Sequence, residues 1–133
     1  MLSVMLAVPD TPAAVEWYRR ALGAKLLWSL GSVAGLEIEG APFFLGQPES
    51  NGWETPQVLG QPTCRVEVFC DDPDAIVARA LKEGASARPA RKGNADPVRD
   101  NKMPWGTHRQ GGFTDPFGHI WLVGDRSPLK PWP

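Results

Sequence analysis

The sequence predicts an α+β fold made of two tandem βαβββ modules, each a curved mixed sheet with one helix. Three observations carry this: a segment that occurs twice, an alternating strand ahead of each copy, and strand-like runs behind each copy. Residues 8–24 read VPDTPAAVEWYRRALGA and residues 69–85 read FCDDPDAIVARALKEGA. Laid together without a gap, they share Asp10/Asp71, Pro12/Pro73, Ala14/Ala75, Gly23/Gly84 and Ala24/Ala85. Each identity falls at a helix boundary or a core position.

The elements follow in chain order. Val4, Leu6 and Val8 alternate with Ser3, Met5 and Ala7, the period of a strand with one face buried against a helix. Asp10 or Thr11 caps the first helix, and Pro12 suits its first turn. Ala14, Val15, Tyr18, Ala21 and Leu22 form its apolar stripe, and Gly23 sits where a left-handed residue ends it. Runs at Leu26–Leu30, Leu36–Glu39 and Phe43–Leu45 complete a first module over residues 1–46. Residues 47–62, with Trp53 inside, read as a loop-like linker. The second module, residues 63–126, repeats the plan. Val66 and Val68 alternate with Arg65 and Glu67. Asp72 and Pro73 open a helix whose stripe is Ile76, Val77, Ala80 and Leu81, and Gly84 ends it. Strands are expected at about 86–91, Gly111–Thr114 and Ile120–Val123, with an irregular polar stretch from Lys92 to Pro104. Residues 127–133 hold three prolines and read as an extended arm.

The 133 residues fit one compact domain, or two half-domains sharing a core. Lys plus Arg is 14 against 15 for Asp plus Glu. A nearly neutral chain has no electrostatic case for nucleic acid or an acidic membrane as partner. No apolar run approaches the roughly 18–20 residues of a membrane helix. Met1 to Pro9 lacks a basic flank and reads as a strand rather than a signal peptide. Cys64 and Cys70, if on one strand, lie roughly 20 Å apart, too far for a disulfide. A reduced cytoplasmic protein is therefore expected. No Walker loop, GxGxxG, CxxC or HExxH is present. Six Trp against one Tyr supply flat rings suited to a pocket for a flat ligand.

A duplicated βαβββ chain carrying AVPDTPAAVEWYRRALGA at 7–24 and WGTHRQGGFTDPFGHIWLV at 105–123 resembles the vicinal oxygen chelate superfamily. That group includes glyoxalase I, extradiol dioxygenases, and fosfomycin- and bleomycin-resistance proteins. The second segment is similar to the WG-x-R…DPFGH-x-W signature of its PhnB-like branch, with one extra residue that places a bulge near His108 or Arg109. The resemblance implies homodimers with cavities between modules, and in the enzymes a divalent metal held by His and Glu. The three ligand positions fall on Ser3, Thr63 and Leu122, which do not make such a site. The chain is therefore read as metal-free, with no cofactor.

Alternation turns Thr63, Arg65 and Glu67 toward the cavity, and Val66 and Val68 toward the helix. An unpaired buried charge is costly, so Arg65 and Glu67 are expected to meet either charges across a dimer interface or a polar ligand. Nothing supplies an acid matched to Glu67 as a base. Trp105 is expected to stack on a planar ligand while His108 and Arg109 contact its polar edges. Phe44 and Trp53 add rings, Met5 and Leu122 add apolar lining, and Trp28 ranks behind these. Tyr18 and Trp121 are assigned to the core, and His119 to fixing its turn. The resulting reading is a binder without catalytic residues. It sequesters a small aromatic natural product or antibiotic in the cavity of a homodimer, with or without exchange of modules. The rivals are a glyoxalase- or dioxygenase-type enzyme with a displaced metal site, and a subunit with a vestigial cavity.

Overall fold

The computed structural model describes residues 1–87 and 97–132. The first half contains β1 (Met5–Ala7), α1 (Thr11–Leu22), β2 (Lys25–Ser29), β3 (Val33–Ile38) and β4 (Ala41–Gly46). Its sheet runs β1-β4-β3-β2, with β1 parallel to β4 and the other pairs antiparallel. A short helix, α2 (Pro56–Leu59), interrupts the linker. The second half contains β5 (Arg65–Phe69), α3 (Pro73–Lys82), β6 (Ser86–Ala87), β7 (Arg99–Met103), β8 (Gly106–Thr114) and β9 (Ile120–Gly124). Its sheet runs β5-β9-β8-β6, and β7 also pairs with β8. The duplicated α+β plan is thus the one the sequence predicts.

The helices begin as their sequences dictate. The Asp10 carboxylate accepts the Ala13 N–H at 3.0 Å, and Asp72 accepts that of Ala75 at 3.1 Å. Each cap fills one of the donors a helix start leaves open. Gly23 ends α1 at φ 65. In the second copy Glu83 closes α3 and Gly84 follows at φ 105, its N–H donating to the Leu81 carbonyl at 3.2 Å while the Ala85 N–H reaches that of Ala80 at 3.0 Å, the glycine ending the sequence predicts.

The core is shared. Tyr18 on α1 lies 5.7 Å, ring to ring, from Phe43 of β4 and 5.4 Å from Trp121 of β9. Phe43 and Trp121 are themselves 5.8 Å apart, and Trp17 reaches Phe113 of β8 at 6.3 Å. The inner faces of both sheets therefore converge on one helix pair, α1 against α3.

Asp115, 3% exposed, ties this core together. Its Oδ1 accepts the N–H groups of Phe117 and His119 at 2.9 and 3.0 Å. Its Oδ2 accepts the Tyr18 hydroxyl and the Trp121 indole N–H, the latter at 2.8 Å. Burial, with the Asp115 charge beside it, pushes the Tyr18 hydroxyl well above its ordinary pKa. The DPFGH run is thus a carboxylate cage. His119 does more than fix the turn: its Nε2–H donates to the Ala7 carbonyl on β1 at 2.7 Å, joining the two halves.

Three local expectations are corrected. Residues 99–103 form β7 rather than irregular chain. The strand is polar because it lies at an edge, where apolar alternation is not required. Lys92 to Asp96 and the expected strand residues 88–91 lie outside the described residues. The bulge lies in β2, between Leu26 and Trp28, whereas β8 pairs regularly at His108 and Arg109. The tail folds back through a 3-10 turn, Ser127–Leu129, rather than standing off as an arm.

Candidate ligand-binding faces

The edge strands β1 and β5 flank a gap between the two sheets. At one end a cavity of about 530 Å³ is lined by Leu2, Val4, Phe43, Arg65, Glu67 and Leu129, among others. At the other a pocket of about 100 Å³ lies among Met5, Trp53, Leu59, Thr63 and His119. Arg126 spans the two halves, donating to Glu39 at 2.8 Å and to Asp71.

The open face of the first sheet is aromatic. The pairing aligns Met5, Phe44, Gly35 and Trp28 in one row across all four strands. In an unbroken ladder Leu27 would oppose Gly35, and Trp28 would point to the core. The bulge makes Trp28 the partner of Gly35 and re-aims its ring. The indole then lies on the glycine: a Cβ at Gly35 would fall 2.8 Å from Trp28 Nε1 and 3.3 Å from the Phe44 ring. Trp28 and Phe44 are 5.9 Å apart at 35°. Trp53 and Met5 extend the surface, both closing over Gly46. Met5 and Trp28 remain 43% and 39% exposed, leaving their apolar area available to a ligand. Sequence reasoning placed Met5, Phe44 and Trp53 on the cavity but ranked Trp28 behind them, because a bulge leaves no mark on the alternation.

The open face of the second sheet is polar. Arg65 and Glu67 of β5 share it with Leu122 of β9 and with Gln110, whose Nε2 donates to Glu67 at 3.3 Å. Leu122 is buried there. His108 joins the same face, and its ring crosses onto Gly124, where a Cβ would fall 2.9 Å from Nε2. Its Nδ1 meets Asp125 Oδ1 at 2.8 Å and Ser127 Oγ at 3.0 Å. Partial burial alone would raise the Asp125 carboxyl. The N–H groups of Arg109 and Ser127, with the His108 ring and Ser127 hydroxyl, hold it well below the usual carboxylate range instead.

Two sequence assignments are corrected here. Arg109 does not join His108, because adjacent strand residues face opposite sides. Its guanidinium forks onto both Asp74 oxygens at 2.7 Å and onto Asp100 at 3.0 Å, so three of its donors are held by carboxylates of the helix side. Trp105 sits in the β7–β8 turn and lines neither cavity. Its indole N–H donates to Ser127 Oγ at 3.2 Å, bracing the tail.

A divalent metal, which the resemblance implies, does not fit these residues. The Ser3 hydroxyl donates to the Pro42 carbonyl at 2.6 Å, Thr63 precedes β5, and Leu122 has no donor atom. Among the described residues no three His, Cys, Asp or Glu side chains come together as a metal set. No described helix is long and apolar enough to cross a membrane.

Comparison with known proteins gives the same architecture. The chain superposes on TioX from Micromonospora sp. ML1 with a TM-score of 0.68 and 27% identity, covering 93% of this chain and 96% of that one. A glyoxalase/bleomycin resistance protein from Albidiferax ferrireducens T118 gives 0.72 at 18% identity, covering 95% and 98%. An uncharacterized protein of Mycobacterium bovis is 32% identical over 136 residues, spanning 92% of this chain and 81% of that one. A family model matches residues 1–123, and with the paired βαβββ sheets it shows that the chain belongs to the Glyoxalase/Bleomycin resistance protein/Dioxygenase superfamily.

Proposed function

We propose that this protein binds a flat aromatic small molecule without a metal and without chemical conversion, in the manner of bleomycin-resistance proteins. One observation carries the reading: Trp28 covers Gly35 beside Phe44, in a row with Met5, on a sheet face that no described helix covers. Such a face presents ring area for stacking and for apolar burial. The cavity is completed by a second copy. A two-fold dimer sets the aromatic face of one protomer against Arg65, Glu67 and Gln110 of its partner. The exposed β1 edge, with Leu2 97% and Val4 38% exposed, is apolar surface that such an assembly covers.

The test is a titration of the full chain with acridine, read by tryptophan fluorescence and calorimetry, alongside Trp28→Ala. Stacking contributes about 0.5–1.5 kcal/mol beyond burial, and burial adds about 1.5–3 kcal/mol. The variant is expected to bind roughly 10- to 1000-fold more weakly. Equal affinity of variant and wild type overturns the assignment of this face. About one divalent metal per chain in purified protein overturns the metal-free reading.

A further inference from the structure

We propose that His108 is a prepared hydrogen-bond acceptor on the polar face of the second sheet, and that the ligand class this protein takes is a planar aromatic bearing an acidic O–H, a phenol or hydroxy-heteroaromatic. The inference rests on the reading of the open faces given above and adds the polar requirement that the aromatic row does not supply.

Three features of the site point to it. The first is the tautomer. Asp125 Oδ1, 2.8 Å from Nδ1, can only accept, so Nδ1 carries the proton. Asp125 is itself fixed, since its Oδ2 accepts the Arg109 N–H and its Oδ1 the Ser127 N–H, each at 2.9 Å. Ser127 Oγ accepts the Trp105 indole N–H at 3.2 Å and sits 3.0 Å from the same Nδ1. With Nδ1 donating to Asp125, Nε2 is the ring nitrogen left to accept in the neutral tautomer this pairing selects.

The second is direction. The ring crosses from β8 over β9, with Cε1 and Nε2 above Gly124, on the face shared with Glu67, Gln110 and Leu122. Gly124 is needed for this, since a Cβ there would fall 2.6 Å from Cε1. The third is accounting. His108 is 5% exposed, and Nε2 has no partner among the described residues. Yet no enclosed side-chain nitrogen or oxygen among those residues lacks a partner. The Nδ1 side of the ring fastens the tail, and the Nε2 side is not needed for that. It matches a single donor on a ligand, and the phenol O–H is the donor a flat aromatic carries in its own plane.

The experiment compares two probes alike in shape and differing in one O–H, 2-naphthol and 2-methoxynaphthalene, titrated into the full chain at neutral pH. Wild type is expected to bind 2-naphthol at least tenfold more tightly, and His108→Phe to bind the two equally. Gly124→Ala sets a Cβ where Cε1 and Nε2 lie and so displaces the ring, and is expected to lose the preference as well. Equal binding of both probes by wild type overturns this inference and leaves the reading of the aromatic face standing, whereas binding of neither overturns both. Long-range proton–nitrogen NMR of the free protein gives a readout that needs no ligand. Protonation on Nδ1 with bare Nε2 is expected, and a proton on Nε2 overturns the inference.

Discussion

Asp115 and Gly35 show how far single residues control this protein. Asp115 is tolerated in the core because four donors surround it. Replacing it by Asn puts an amide where Tyr18 and Trp121 both donate, or turns the amide onto the Phe117 and His119 N–H groups. Two buried donors then go unanswered at about 1–3 kcal/mol each. Asp115→Asn is expected to lose roughly 2–6 kcal/mol by that reckoning, measured by denaturant unfolding, and a loss well under 1 kcal/mol would contradict the cage. The DPFGH run was legible as a turn, but its partner Tyr18 lies 97 positions away and no local pattern links them. Gly35 was not legible at all, since its role exists only once the bulge sets Trp28 on top of it. Residues whose duty is to leave space carry no sign of it in the chain.

At the level of elements, the repeated segments were readable because helix signals are local: an Asp cap, a Pro in the first turn and a stripe at helical spacing. Strand β7 was not, since an edge strand borrows its order from β8 and not from its own residues. The tail is a third case. Asp125 and Ser127 fasten it to β8 through His108, with Trp105 bracing the join. The folded state holds the Asp125 carboxyl below its ordinary range, so folding favours the ionised form. That contribution is complete above the usual carboxylate pKa and is lost as pH falls through it toward the depressed value. Asp74, lowered by its hydrogen bonds from Arg109, works in the same direction. Asp125→Asn is expected to flatten the decline of stability with acid below about pH 4, as followed by urea melts across pH. A decline as steep as in wild type would show that Asp125 adds nothing to it.

For the whole molecule, the α+β duplication followed from sequence, but which faces meet did not. Periodicity says that a face is buried and not what buries it. Both inner faces converge on Tyr18, Phe43 and Trp121, which leaves the opposite faces without a described helix of their own, and this is the physical basis for expecting a homodimer. Light scattering at micromolar concentrations is expected to give twice the mass of 14.5 kDa. A monomer throughout would leave each open face without its counterpart.

The shared core has a consequence for how the molecule comes apart. Each module looks like a unit in the sequence, yet Trp17 and Tyr18 of the first are wedged among Phe113, Phe117 and Trp121 of the second. Neither half can melt without stripping the other, so the chain unfolds in one cooperative step despite its internal repeat. A cut in the linker between the halves would yield two fragments that are each unstructured alone and that reassemble on mixing, because every aromatic left bare on one has its seat on the other.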